Sequence, residues 1–175
     1  MPYGGNDWLA LTPEETLEPD LPICDPHHHF WDYRTARIPF QRYLLHELAD
    51  DMNSGHNVRS TVFVEARSMY RIDGPDEMKP VGEVEFVQGL AAASATGLYG
   101  PGRAAAAIVG HADLNLGDGV KPVLEALQAA SRNRFRGIRH TVTWDDNPGV
   151  ENTPAHKIKG QMSSDSFRAG AKVLA

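Results

Sequence analysis

Four short runs rich in β-branched or small apolar residues recur along the chain, at 23–29, 60–65, 104–111 and 137–143. None is joined to its neighbour by a two-residue hairpin turn, and each is followed by a longer stretch with helical spacing. In the segment 81–91, Val84, Val87, Leu90 and Ala91 trace one apolar stripe with the acids Glu83 and Glu85 opposite. Val120, Val123, Leu124 and Leu127 repeat the pattern, so helices are predicted over 44–52, 81–95 and 120–131. Strand followed by helix, repeated, predicts parallel strands with right-handed crossovers and places the chain in the α/β class. Val62-Phe63-Val64 and Ala107-Ile108-Val109 read as strands covered on both faces, as a parallel sheet requires. A last helix is predicted from Asp165 or Ser166, ending on an apolar stretch in the manner of an interrupted chain.

Residues 1–20 read as an irregular arm punctuated by Gly4, Gly5, Pro13 and Pro19, with the folded domain running over 21–175. At 175 residues, 41% hydrophobic and 23% charged, the chain is long and apolar enough for one domain with a real core. A formal charge of −6 argues against nucleic acid or an anionic membrane surface as partner, which leaves small molecules. The arm lacks the basic start and apolar run of a signal peptide. No stretch approaches the roughly 18 apolar residues of a membrane span. Cys24, alone in the sequence, has no internal disulfide partner, which favours a reducing cytoplasmic setting. Its expected role is that of a small buried apolar side chain.

In a parallel α/β array, functional groups gather where strands finish. Each predicted strand finishes in polar residues: His27 and His29, then Glu65 and Arg67, then His111 and Asp113, then Arg139 and His140. The first of these ends is the most informative. In Asp25-Pro26-His27-His28-His29 the period of a strand puts Asp25, His27 and His29 on one face and His28 on the other. Two imidazoles at that spacing suit a divalent ion such as zinc, manganese or iron. With 8 His in 175 residues a chance His-x-His is expected roughly 0.3 times, so the aspartate and the company of the other strand ends carry the weight. Glu65 and Arg67 form either a rim ion pair or a substrate contact, and His111 and Asp113 either cap the following loop or line the site. Arg139 is suited to forking onto a substrate carboxylate and equally to a salt bridge. Because His140 alternates with it, Arg139 is the one expected to face the shared site. His46, His56 and His156 are expected in solvent.

Cys24-Asp25-Pro26-His27-His28-His29-Phe30-Trp31-Asp32 resembles the first-strand signature of the amidohydrolase superfamily, in the branch of 2-pyrone-4,6-dicarboxylate lactonase and related sugar-lactone and muconolactone hydrolases. Val62-Phe63-Val64-Glu65-Ala66, Val81-Gly82-Glu83-Val84-Glu85-Phe86 and Phe135-Arg136-Gly137-Ile138-Arg139-His140 are similar to the same branch. The resemblance implies a (β/α)8 barrel of the TIM type, present as about four parallel strand-helix units. It implies hydrolysis of a lactone or related cyclic ester or amide by a metal-activated water. His27 and His29 match the histidines that bind the metal, zinc or manganese, where one is used; some members of the branch work without it and turn those histidines on substrate oxygen. Arg67 and Arg139 match positions from which basic groups would hold a substrate carboxylate, and with Glu65 and His111 from the strand-end reading they are the expected substrate-binding residues. The family also uses late-strand histidines and a general-base aspartate, expected beyond the C-terminus, so little hydrolysis is expected of the chain as it stands. The alternative expectation is a non-catalytic half-barrel that self-associates or binds a metal or small molecule.

Overall fold

The computed structural model describes residues 10–32, 42–147, 149–150 and 158–174. Strands β1 (Ile23–His28), β2 (Val58–Val64), β3 (Arg103–Gly110) and β4 (Phe135–Ile138) alternate with helices α1 (Leu45–Met52), α2 (Val81–Ser94), α3 (Lys121–Ala130) and α4 (Asp165–Val173). The strands form one sheet in the order β1-β2-β3-β4, and each neighbouring pair is parallel. The class is α/β. Residues 10–20 of the arm contain turns and bends without helix or strand, and the arm's first nine residues and His156 lie outside the described residues.

The helices start where local chemistry lets them. Glu47 reaches back to accept from the Leu44 N–H at 2.9 Å, closing the first turn of α1, and Ser164 Oγ accepts from the Phe167 N–H at the start of α4. Pro122 sits in the first turn of α3, where its missing N–H costs nothing.

Packing is one-sided. Phe63 and Ile108 are fully buried in a single apolar cluster with Leu48 of α1, Val84 and Val87 of α2, Val123 and Leu127 of α3 and Phe167 of α4. On the alternate positions Val64 is buried but Val62, Ala107 and Val109 stay half-buried among the described residues, so the expectation that both sheet faces are covered holds only in part. An apolar run is needed for a doubly covered strand but does not prove one, because side chains of both parities can be apolar while helices cover only one face. Cys24 is likewise exposed rather than buried, since β1 is an edge strand with a neighbour on one side only.

β4 starts two residues before the predicted 137 and stops well before 143. The Phe135 ring is what draws it in, because it packs over Gly110 beside Val84 and Leu127. Its last rung is the Arg139 N–H to the Gly110 carbonyl at 2.8 Å. Between Ser60↔Arg103 and Val62↔Ala107, β3 carries extra residues against β2. Ala105 takes φ +48 in that bulge, and its N–H and that of Ala104 are satisfied by Thr61 Oγ1 and Ser94 Oγ, each at 2.9 Å.

Candidate functional site

The pleat of β1 sends His28 to the helix side, where it lies edge-on to Phe30 and Phe63 with no hydrogen-bond partner for either ring nitrogen among the described residues. Burial pushes its imidazole down to about 4. His27 and His29 project the other way. The two imidazoles are hydrogen-bonded to each other, His27 Nε2 donating to His29 Nε2 at 3.2 Å, and His29 Nδ1 donates to the Val64 carbonyl at 2.7 Å. That bond holds the proton on Nδ1 and leaves the Nε2 of His29 as a lone pair facing its neighbour. Burial also holds the His29 imidazole below its ordinary value, with the Arg139 charge adding to the effect against the opposing Val64 bond. Asp25 does not join the imidazoles as a third ligand: its Oδ1 accepts from the backbone N–H of His27 at 3.0 Å. Among the described residues no group of three or more His, Cys, Asp or Glu side chains is arranged to hold a metal.

The hydrogen-bonded pair would fit an ion once His27 carries its proton on Nδ1, since its spacing is then that of two ligands. Two nitrogens bound to one tetrahedral zinc at about 2.0–2.1 Å lie about 3.3 Å from each other. A ring whose far nitrogen donates to a carbonyl is also the usual support for a metal-binding histidine.

Glu65, 4% exposed, follows the last residue of β2. Its Oε1 accepts from Arg139 Nε at 2.8 Å, its carbonyl accepts from Arg139 Nη2, and its Oε2 is buried with no hydrogen-bond partner among the described residues. Glu65 therefore pairs with Arg139, at the end of β4, and not with its neighbour Arg67. Arg67 is exposed, at φ +56, with no carboxylate bonded to it among the described residues. His111, at the end of β3, is buried, and its Nδ1 donates to the Arg139 carbonyl at 2.9 Å. Asp113 caps the turn that follows, accepting from the Asn115 N–H at 2.9 Å. His140 turns away from Arg139 into the core below α4, its ring edge-on to Phe167 and its Nδ1 accepting from the Leu114 N–H at 3.1 Å. His46 and His56 are exposed.

Sequence reasoning missed two residues. Glu83, placed on the solvent side of its helix by the periodicity, is 1% exposed and accepts from the N–H groups of Ala66 at 3.0 Å and Ser68 at 2.7 Å. It ties the loop that carries Arg67 to the first turn of α2. The one signal was an acid inside the otherwise apolar Val81-Gly82-Glu83-Val84 turn. Tyr70 hangs from the same loop with its hydroxyl buried and without a hydrogen-bond partner among the described residues, and burial, reinforced by the charges of Glu83 and Glu65, raises its ionisation well above the usual phenol range.

The strand ends thus bring together the two imidazoles and the Glu65–Arg139 pair, of which only the carboxylate is buried, while Arg67 stands exposed on the loop that follows β2. No family model, curated protein or solved structure matches the chain.

Proposed function

We propose that this chain holds the metal- and substrate-anchoring part of a (β/α) barrel-type hydrolase of the amidohydrolase kind, acting on a lactone or related cyclic ester or amide. The observation that carries the reading is the His27–His29 pair, set at ligand spacing with one tautomer fixed by the Val64 carbonyl. The strand-end motifs described above support the same reading.

A divalent ion supplies, when bound, Lewis-acid polarisation of an ester carbonyl and acidification of water. The chain's own residues do the rest. His27 and His29 present the Nε2 atoms that would hold zinc or manganese, and the carbonyl of Val64 keeps the His29 ring from turning. The depressed basicity of His29 keeps that ring neutral and available where an ordinary histidine is already protonated. Arg139 spends two donors on Glu65, which fixes the plane of its guanidinium and leaves its other N–H groups for an anionic substrate group. Arg67, exposed on the loop pinned by Glu83, offers a second fork for the same anion.

Calorimetric titration of the chelator-treated protein with zinc and with manganese tests the reading. Binding is expected in the wild type and about 100-fold weaker or absent in His27→Ala and His29→Ala. Little lactone hydrolysis is expected of the chain alone even with the metal bound, and robust metal-dependent turnover would refute that expectation while keeping the metal site. Equal metal binding in all three proteins would defeat the reading.

A further inference from the structure

We infer that a second copy of this chain closes the sheet, β4 of each copy pairing in parallel with β1 of the other about a two-fold axis along the strands. The inference stands apart from the metal reading and needs no metal.

Among the described residues β1 pairs with β2 only and β4 with β3 only, so both outer edges are free. The helices lie on one face, and Val62, Ala107 and Val109 leave the other face half-open and apolar. Two sheets of four parallel strands joined in this way make eight, the number at which a parallel βα cylinder closes around packed side chains. The two-fold axis keeps every strand parallel and abolishes both edges.

The two edges that would meet are complementary in shape and charge. Beside β4 runs a groove in which the apolar Leu124, Phe135, Val173 and Leu174 alternate with the polar Lys121, Glu125, Gln128 and Arg136. A side chain added at Gly137 would meet nothing within 4 Å. At the start of β1, Leu17 and Leu21 stand 80% and 54% exposed, an apolar pair for that groove. Glu14, Glu15, Glu18 and Asp20 lead into β1, while the exposed Arg132 and Arg136 flank the start of β4; Arg134 between them is bonded to Gln88 of α2. Parallel pairing of the two strands sets their N-terminal ends side by side, acids against arginines, and so offsets locally the repulsion between two chains of net charge −6.

The area suffices. Four strands about 4.8 Å apart, with six residues of about 3.3 Å each, give an inner face of roughly 400 Å². Two such faces, two new ladders and the flanking grooves together pass the roughly 1,000 Å² that a specific interface needs. Pro26 withholds one donor from the β1 edge, so the new ladder rests on the residues on either side of it. Closure also places the His27 and His29 of one copy about one strand spacing, roughly 4.8 Å of sheet, from the Arg139 end of β4 in the other.

Sedimentation equilibrium of the full chain in chelator at micromolar concentration tests the closure. The expected result is twice the chain mass. Arg132→Glu with Arg136→Glu is expected to raise the dissociation constant about tenfold or more, and adding Glu18→Arg and Asp20→Arg to that protein to restore the dimer. Circular dichroism identifies any variant that has failed to fold. A wild-type monomer up to about 100 micromolar, a dimer indifferent to the charge reversals, or a fourfold variant that does not recover overturns the inference. The measurement is independent of metal, so its failure leaves the His27–His29 reading standing, and the reverse holds.

Discussion

Arg139 reaches across β3 to Glu65, donating through Nε to the carboxylate at 2.8 Å and through Nη2 to the Glu65 carbonyl. One side chain thereby clamps the ends of β2 and β4, which share no ladder. Arg139→Ala leaves a buried carboxylate without its cation and is expected to cost about 2–3 kcal/mol in urea unfolding at neutral pH. The figure sits at the low end of the range for buried pairs because the Arg139 side chain is 38% exposed. Arg139→Lys keeps the charge but not the fork and should recover less than half of the loss. Equal stability of all three proteins would show that the pair is a surface ornament.

Glu83 serves two backbone donors with one oxygen, and the loop it holds passes through Arg67 and Met69, both at φ +56. Non-glycine residues in that region persist only when the surroundings hold them there. Glu83→Ala strands the N–H groups of Ala66 and Ser68, an expected loss of about 2–4 kcal/mol, whereas Glu83→Gln keeps an acceptor and should lose about 1 kcal/mol. The loop is also expected to show faster amide exchange at Ala66 and Ser68 in the alanine variant. Unchanged exchange there would remove the anchoring role.

What was legible in the sequence is local. Residues 81–94 carry a stripe that any helix must bury, and the predicted and observed helices differ there by one residue at the C-terminal end. The separation of His27 and His29 from His28 follows from the pleat alone. Partnerships across the fold are another matter. Glu65 and Arg139 lie 74 positions apart, and nothing in either residue's neighbourhood distinguishes an ion pair from a substrate contact. Glu83 was misplaced for a related reason: periodicity averages over a face, and one buried acid among apolar neighbours does not change the average. The open sheet face escaped because Val62 and Val109 are as apolar as Phe63 and Ile108, and coverage depends on which side the helices take.

The His28 ring gives the fold an acid limit. The unfolded chain binds a proton there near pH 6.5, whereas the folded site refuses it down to about 4. Between those values the unfolded state holds more protons, so this contribution is fully present above pH 6.5 and is lost as the pH falls through the window. The full loss amounts to about 3 kcal/mol. His28→Leu removes the titration while keeping an apolar contact with Phe30 and Phe63. Relative to wild type it should gain about 3 kcal/mol between pH 7 and pH 4, measured by urea unfolding in chelator. Parallel pH profiles for the two proteins would contradict the assignment.

Two glycines inside helices separate steric from propensity effects. A methyl group at Gly170 of α4 would stand 2.2 Å from the Leu114 carbonyl oxygen, while one at the exposed Gly89 of α2 would meet nothing within 4 Å. Helix propensity favours alanine at both positions by about 1 kcal/mol. At Gly89 nothing opposes it, so Gly89→Ala is expected to stabilise by about 0.5–1 kcal/mol. At Gly170 the clash is with backbone, which has no rotamer to yield, and α4 must lift from the Leu114–Val120 turn it packs on. Overpacking of that kind costs about 1–3 kcal/mol beyond the propensity gain, so Gly170→Ala should destabilise. Because His140 rests between that turn and Phe167 of α4, the same substitution should loosen the end of β4, visible as faster amide exchange at Leu114 and Arg139. Stabilisation by both substitutions would mean that α4 does not pack this closely.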